Sequence, residues 1–136
     1  MSYLLDTSAL LADYFAEAGG ERVRDLLSDE RVDVGISVLT MAEFWSRLRA
    51  QGWAQAFATE WEAVSELLTE THPVSLAVVA KSLELRAAAT GRLPQVDALI
   101  AATAATLGAT LVHRDPHFAA VPDDLLTQES LPDKSN

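Results

Sequence analysis

What constrains this chain most is the spacing of its strand-like runs. Short apolar stretches with strand character occur at residues 2–6, at VDVGIS (32–37) and at ATLVH (109–113), and every gap between them holds helical patterns. Strands joined through helices need crossover connections, and crossovers give parallel strands rather than hairpins. The chain is therefore expected to be α/β, with a mainly parallel sheet and helices on both faces. Ligands in such sheets bind beyond the C-terminal ends of the strands.

The remaining elements follow from punctuation and periodicity. A helix carrying Leu10, Leu11, Tyr14 and Phe15 stops at Gly19 and Gly20, and a short second one follows over 21–30. Ser37 is a good N-cap for a helix over 38–50 that ends near Gly52. A helix from 54 to about 69 places Phe57, Trp61, Val64 and Leu68 on one stripe before Pro73. Two more are expected, over 75–90 into Gly91 and over 95–107 into Gly108. RDPHFAAVPDD reads as turn, DLLT (124–127) as a short edge strand, and 131–136 as a frayed tail behind one domain over 1–130.

Four carboxylates stand out in this frame. Asp6 ends the first strand in YLLDTSALL, and Asp115 directly follows the strand ATLVH and Arg114. Asp97 is the only charged side chain between Leu93 and Val112, in a helix of Ala, Leu, Ile, Val and Thr. Glu43 sits early in the helix that follows Ser37. Each has a simple structural explanation. Asp6, Thr7 or Ser8 can cap the first helix, Asp97 can favour its own helix N-terminus, Glu43 can pair with Arg47 four residues on, and Asp115 can start a turn before Pro116. Together, however, two strand ends and two helix starts fall on one edge of a parallel sheet. Clustered carboxylates repel one another and need a proton or a cation between them. Hard oxygen donors of this kind suit Mg²⁺ or Mn²⁺.

Charge and cysteine content narrow the classes. Ten basic and twenty acidic residues give a net charge of -10, which argues against a general nucleic-acid coat or an anionic-membrane binder. A nuclease stays open, because a metal ion supplies positive charge locally. There is no cysteine, hence no disulfide or thiolate site. No signal peptide or membrane-length apolar run is visible, so a cytoplasmic protein without a membrane association is expected.

YLLDTSALL, ISVLTMAEF, LPQVDALIAATA and ATLVHRDPHFAAV, in this order and spacing, resemble the PIN-domain ribonucleases, most closely the VapC-type toxins of bacterial toxin–antitoxin pairs. The resemblance covers essentially the whole chain. It implies a PIN-like parallel sheet of four or five strands flanked by helices on both faces. Asp6, Glu43, Asp97 and Asp115 correspond to the family's acidic quartet, and Ser8 to the hydroxyl that supports the site. Mg²⁺ or Mn²⁺ would be held by Asp6, Asp97 and Asp115, with Glu43 as a ligand or as the group orienting water. The implied reaction is hydrolysis of RNA, such as a tRNA or rRNA, with Arg114 as a candidate phosphate contact. The implied partners are a cognate antitoxin, which lays a basic side chain in the acidic pocket, and a second copy in a homodimer. Phe44, Trp45, Trp53, Phe57 and Trp61 span the region expected to carry the antitoxin groove, though core packing accounts for most of them. One position departs from the pattern: His117, in RDPHF, stands where the family often has an acid in RDxDF.

Rival readings are weaker. GISVL lacks the second glycine of a nucleophile elbow, and no phosphate-binding glycine loop is present. His113 and His117 are separated by Pro116 and lack a zincin glutamate, which argues against zinc. A phosphoacceptor signalling domain would need a lysine after a late strand, whereas Lys81 lies in a helix and Lys134 in the tail. A PIN-like binding module without catalysis is the remaining alternative, suggested only by His117.

Overall fold

The computed structural model describes residues 1–132. Five strands, β1 (Ser2–Leu5), β2 (Asp33–Ser37), β3 (Glu70–His72), β4 (Thr110–His113) and β5 (Gln128–Ser130), form one sheet in the order β3-β2-β1-β4-β5. All four pairings are parallel. Six helices connect them: α1 (Thr7–Tyr14), α2 (Gly20–Ser28), α3 (Val38–Ala50), α4 (Phe57–Leu67), α5 (Leu76–Ala88) and α6 (Gln95–Leu107).

Alternation along the central strands divides the core in two. Leu4 of β1 and Leu111 of β4 pack with Val78, Leu85, Ile100 and Ala101 of α5 and α6. Leu5 and Val112, one residue on, point the other way into Leu10, Val23, Phe44 and Val64 of α1 to α4. This is the period-two alternation of a strand buried on both faces. In the register of the sheet Leu5 lies beside Ile36 and Val112, and the Asp6 N–H continues the ladder to Val112 O at 3.0 Å. Asp6 is thus carried on the C-terminal edge of the sheet beside the end of β4.

Local chemistry sets the helix ends. Ser37 Oγ accepts from Leu39 N at 3.1 Å and starts α3, as expected. Gly52, at φ +79, closes that helix in a Schellman arrangement: Trp53 N donates to Leu48 O and Gly52 N to Arg49 O. Ala54–Ala56, expected as the start of α4, is a separate 3₁₀ turn, and α4 stops at Leu67 because the backbone turns extended at Leu68. The stripe Phe57, Trp61, Val64 and Leu68 packs into the core.

Several boundaries differ from the sequence expectation. β3 was not expected; ETH is too short and polar to show a strand pattern, and it forms because β2 presents an open edge. The last strand lies at Gln128–Ser130 rather than at DLLT, where Leu126 is buried as core. Helix α5 ends at Ala88, three residues before Gly91. Leu131, expected in the tail, is buried and its N–H donates to His113 O at 2.7 Å; residues 133–136 lie outside the described residues. Among the described residues no helix is long and apolar enough to cross a membrane.

Candidate active site

Asp6 is the deepest of the four acids, at 3% exposure, and is the N-cap of α1. Its Oδ1 accepts from Ala9 N at 2.8 Å and from Ser8 Oγ at 2.7 Å. Capping therefore explains one oxygen of the carboxylate and not its charge. Burial pushes its pKa from 3.8 to about 7, the two hydrogen bonds oppose that, and the charges of Asp115 and Asp97 add to the rise.

Ser8 ties two segments together. Its hydroxyl donates to Asp6 and accepts from Arg114 N at 2.8 Å, so the start of α1 is fastened to the turn after β4. That turn carries Asp115, whose Oδ1 accepts from His117 N at 2.9 Å and caps the 3₁₀ turn Pro116–Ala120. The turn-forming explanation of Asp115 is correct as far as it goes. The same turn brings His117 Nδ1 to 3.0 Å from Asp115 Oδ1 and 3.4 Å from Asp97 Oδ2.

Asp97 occupies the first turn of α6, whose N-cap is Pro94. Among the described residues its carboxylate accepts no bond from that helix's own amides, so capping does not account for it. Burial first, then the charges of Asp115 and Glu43, push its pKa up to about 6, against the pull of His117. Glu43, on α3, lines the adjoining cleft. Thr7 Oγ1 donates to Glu43 Oε1 and lies 3.1 Å from Thr40 Oγ1, which is fully buried. Arg47 does not pair with Glu43; its guanidinium lies 5.1 Å from the centre of the Phe15 ring.

The structure brings Asp6, Asp97, Asp115 and Glu43 into one electrostatically coupled group and adds His117. Ligand atoms of Asp97, Asp115 and His117 all lie within 4.8 Å of one another, a spacing that can hold a metal ion. A cleft of about 510 Å³ opens beside the group, lined by Thr7, Ser8, Leu11, Glu43, Ser46, Arg47 and Arg114.

Arg114, the candidate phosphate contact, lines the cleft with its guanidinium already engaged. Its side chain is only 6% exposed, with the guanidinium bonded to Glu17 Oε1 at 2.7 Å and Ala18 O at 2.8 Å. Thr7 and Thr40 were missed as site residues. Thr40 precedes Glu43 by three on one helix face, a signal visible in the sequence. His113 is buried and belongs to the framework: its Nε2 pairs with Gln128 Oε1 at 2.8 Å, while its Nδ1 accepts from Asp115 N. Gln128 Nε2 donates to Phe118 O, which leaves Oε1 as the acceptor and fixes the neutral Nε2–H tautomer. Of the five aromatics noted above, Phe44, Phe57 and Trp61 pack together in the core, while Trp45 and Trp53 are exposed.

The model of the PIN domain family matches residues 3–124. No curated protein sequence matches the chain. Among solved structures, VapBC2 from Rickettsia felis bound to promoter DNA is similar at 22% identity and a TM-score of 0.79, covering 97% of this chain and 100% of that one. VapBC-5 of the Mycobacterium tuberculosis toxin–antitoxin systems is similar at 25% identity and a TM-score of 0.67, over 95% and 96% of the two chains. VapC20 from Mycobacterium tuberculosis, a toxin that cleaves the sarcin-ricin loop, is similar at 20% identity and a TM-score of 0.65, over 87% and 93%.

Proposed function

The chain belongs to the PIN domain family, and from that premise we propose that it is a divalent-metal-dependent endoribonuclease, the toxin of a type II toxin–antitoxin pair. The observation that carries the reading is the convergence of four carboxylates from β1, α3, α6 and the turn after β4 on one edge of the sheet. Such a group is stable at neutral pH when a cation or protons neutralise it. The donor set fits Mg²⁺ or Mn²⁺, and the buried Nδ1 of His117 beside the carboxylates lacks any aligned hydrogen-bond partner. Asp6, Asp97 and Asp115 would hold the ion. When bound, it supplies Lewis-acid stabilisation of phosphate charge and acidifies water.

The chain's own residues supply the positioning. Glu43, held at Oε1 by Thr7, would orient the attacking water and take its proton. Ser8 locks the Asp6 carboxylate against the turn of Asp115. The phosphate contact passes from Arg114 to Arg47, which lines the cleft and has no carboxylate partner among the described residues. RNA, such as a tRNA or an rRNA loop, enters along this cleft. A cognate antitoxin with a basic side chain closes it, a homodimer is the working unit, and the cytoplasm is the compartment.

The test is cleavage of purified tRNA and rRNA by chelator-stripped protein before and after addition of Mg²⁺ or Mn²⁺. The expected result is metal-restored cleavage at defined sites, lost in Asp97→Asn and weakened in Arg47→Ala. Cleavage that persists in chelator, or in Asp97→Asn, refutes the assignment.

A further inference from the structure

His117 stands where the family resemblance leads one to expect an acid, and its surroundings give that substitution a chemical meaning. The ring is half-exposed, yet Nδ1 is shielded from solvent and makes no aligned hydrogen bond. A buried nitrogen in that state usually has a partner. Asp115 Oδ1 lies 3.0 Å from it and Asp97 Oδ2 3.4 Å. Neighbouring ligands of a six-coordinate ion with bonds of about 2.1 Å are separated by about 3 Å. Donors that share one ion stand at such distances, as do the partners of a direct ion pair, and the two are separated by experiment below.

The placement is built into the backbone. Asp115 caps the 3₁₀ turn by accepting from His117 N, and Pro116 between them fixes the backbone at the first position of the turn. The backbone of His117 is consequently held beside Asp115, within side-chain reach of it. With an ion bound, Nε2 would carry the ring's proton while the Nδ1 lone pair faces the ion.

On the metal-dependent reading above, we propose that His117 is a metal ligand through Nδ1, adding one imidazole beside Asp97 and Asp115 to the carboxylates, Asp6 among them, that hold the ion. An imidazole favours a first-row transition ion over Mg²⁺, which keeps oxygen ligands and dehydrates reluctantly. The centre is thus tuned towards such an ion, and His117 is a functional replacement for the acid rather than a loss of the site.

The experiment compares wild type, His117→Asn, His117→Asp and Asp97→Asn after removal of metal. Mn²⁺ binding is read from the free-ion electron spin resonance signal, Mg²⁺ by competition, and direct nitrogen ligation from ¹⁴N spin-echo modulation. Wild type is expected to show the ¹⁴N modulation. His117→Asn should lose it and weaken Mn²⁺ binding at least tenfold, with a smaller change for Mg²⁺. His117→Asp should bind both ions with a narrower preference, and Asp97→Asn should bind neither well. Mn²⁺ bound in wild type without ¹⁴N modulation, or as tightly in His117→Asn, overturns the ligand assignment while the metal site stands. Tighter binding in His117→Asn would make the imidazole a resident counter-ion that competes with metal. No binding in wild type overturns both readings.

Discussion

Replacing Asp6 by Asn should stabilise the metal-free protein, and the gain should grow with pH. Asp6 is almost wholly buried, and burial is the main reason its pKa rises from 3.8 to about 7. A folded pKa above the unfolded one means that the folded protein holds a proton the unfolded chain releases. The stabilisation is complete below about pH 3.8 and is lost as pH rises through about 7. The shift of about three units corresponds to about 4 kcal/mol in all, of which roughly 2.5 kcal/mol is lost between pH 5 and 8. Asparagine cannot titrate, but its Oδ1 still accepts from Ser8 Oγ and Ala9 N. Asp97, pushed up to about 6, titrates in both proteins and largely cancels in the comparison. Thermal unfolding in chelator at pH 5, 6.5 and 8 should therefore show the variant gaining about 8 °C on wild type across that range, at roughly 3 °C per kcal/mol for a chain of this size. Parallel pH profiles, or a gap that closes as pH rises, would refute the argument that Asp6 is a buried charge without a protein cation.

Other outcomes follow from the same geometry. Ser8→Ala removes both the donor to Asp6 and the acceptor for Arg114 N, and should cost about 1–3 kcal/mol in urea unfolding while lowering cleavage. Arg114→Ala should destabilise by about 1–2 kcal/mol because it removes the charge-assisted bonds to Glu17 Oε1 and Ala18 O, with little change in the salt dependence of RNA binding. Arg47→Ala should do the reverse, leaving the unfolding midpoint nearly unchanged and reducing the salt slope of RNA binding by about one. Burial holds the pKa of His113 below the ordinary value of 6.5, so the unfolded chain gains a proton first and stability falls as pH drops through that value. His113→Gln should flatten that acid limb in chelator-treated protein.

The parallel sheet and its helices were legible because strands separated by amphipathic helices leave few alternatives. The two edge strands were not. β3 and β5 are short and polar, and their pairing depends on the open edges of β2 and β4 rather than on any pattern of their own. Asp97 was legible because a lone charge in an apolar helix needs a reason. Asp115 was legible only through its place after β4, since as a residue it is also a turn former. At Arg114 the sequence shows an arginine beside an acid at a strand end, which looks like a substrate contact, and does not show what the guanidinium binds. Its engagement with Glu17, 97 positions away, arises from tertiary packing that local sequence does not encode. His117 was recognised as a departure, but its closeness to both Asp97 and Asp115 emerged only once α6 and the turn after β4 were placed together.

If these carboxylates share a divalent ion, thermal unfolding with titrated Mn²⁺ will report it. At a concentration one hundred times the dissociation constant, wild type should gain about 2.7 kcal/mol, and its midpoint should keep rising with the logarithm of added metal. Asp6→Asn and Asp97→Asn should lose most of that response while remaining folded. A wild-type midpoint indifferent to Mn²⁺, or an equal rise in both variants, would contradict the account.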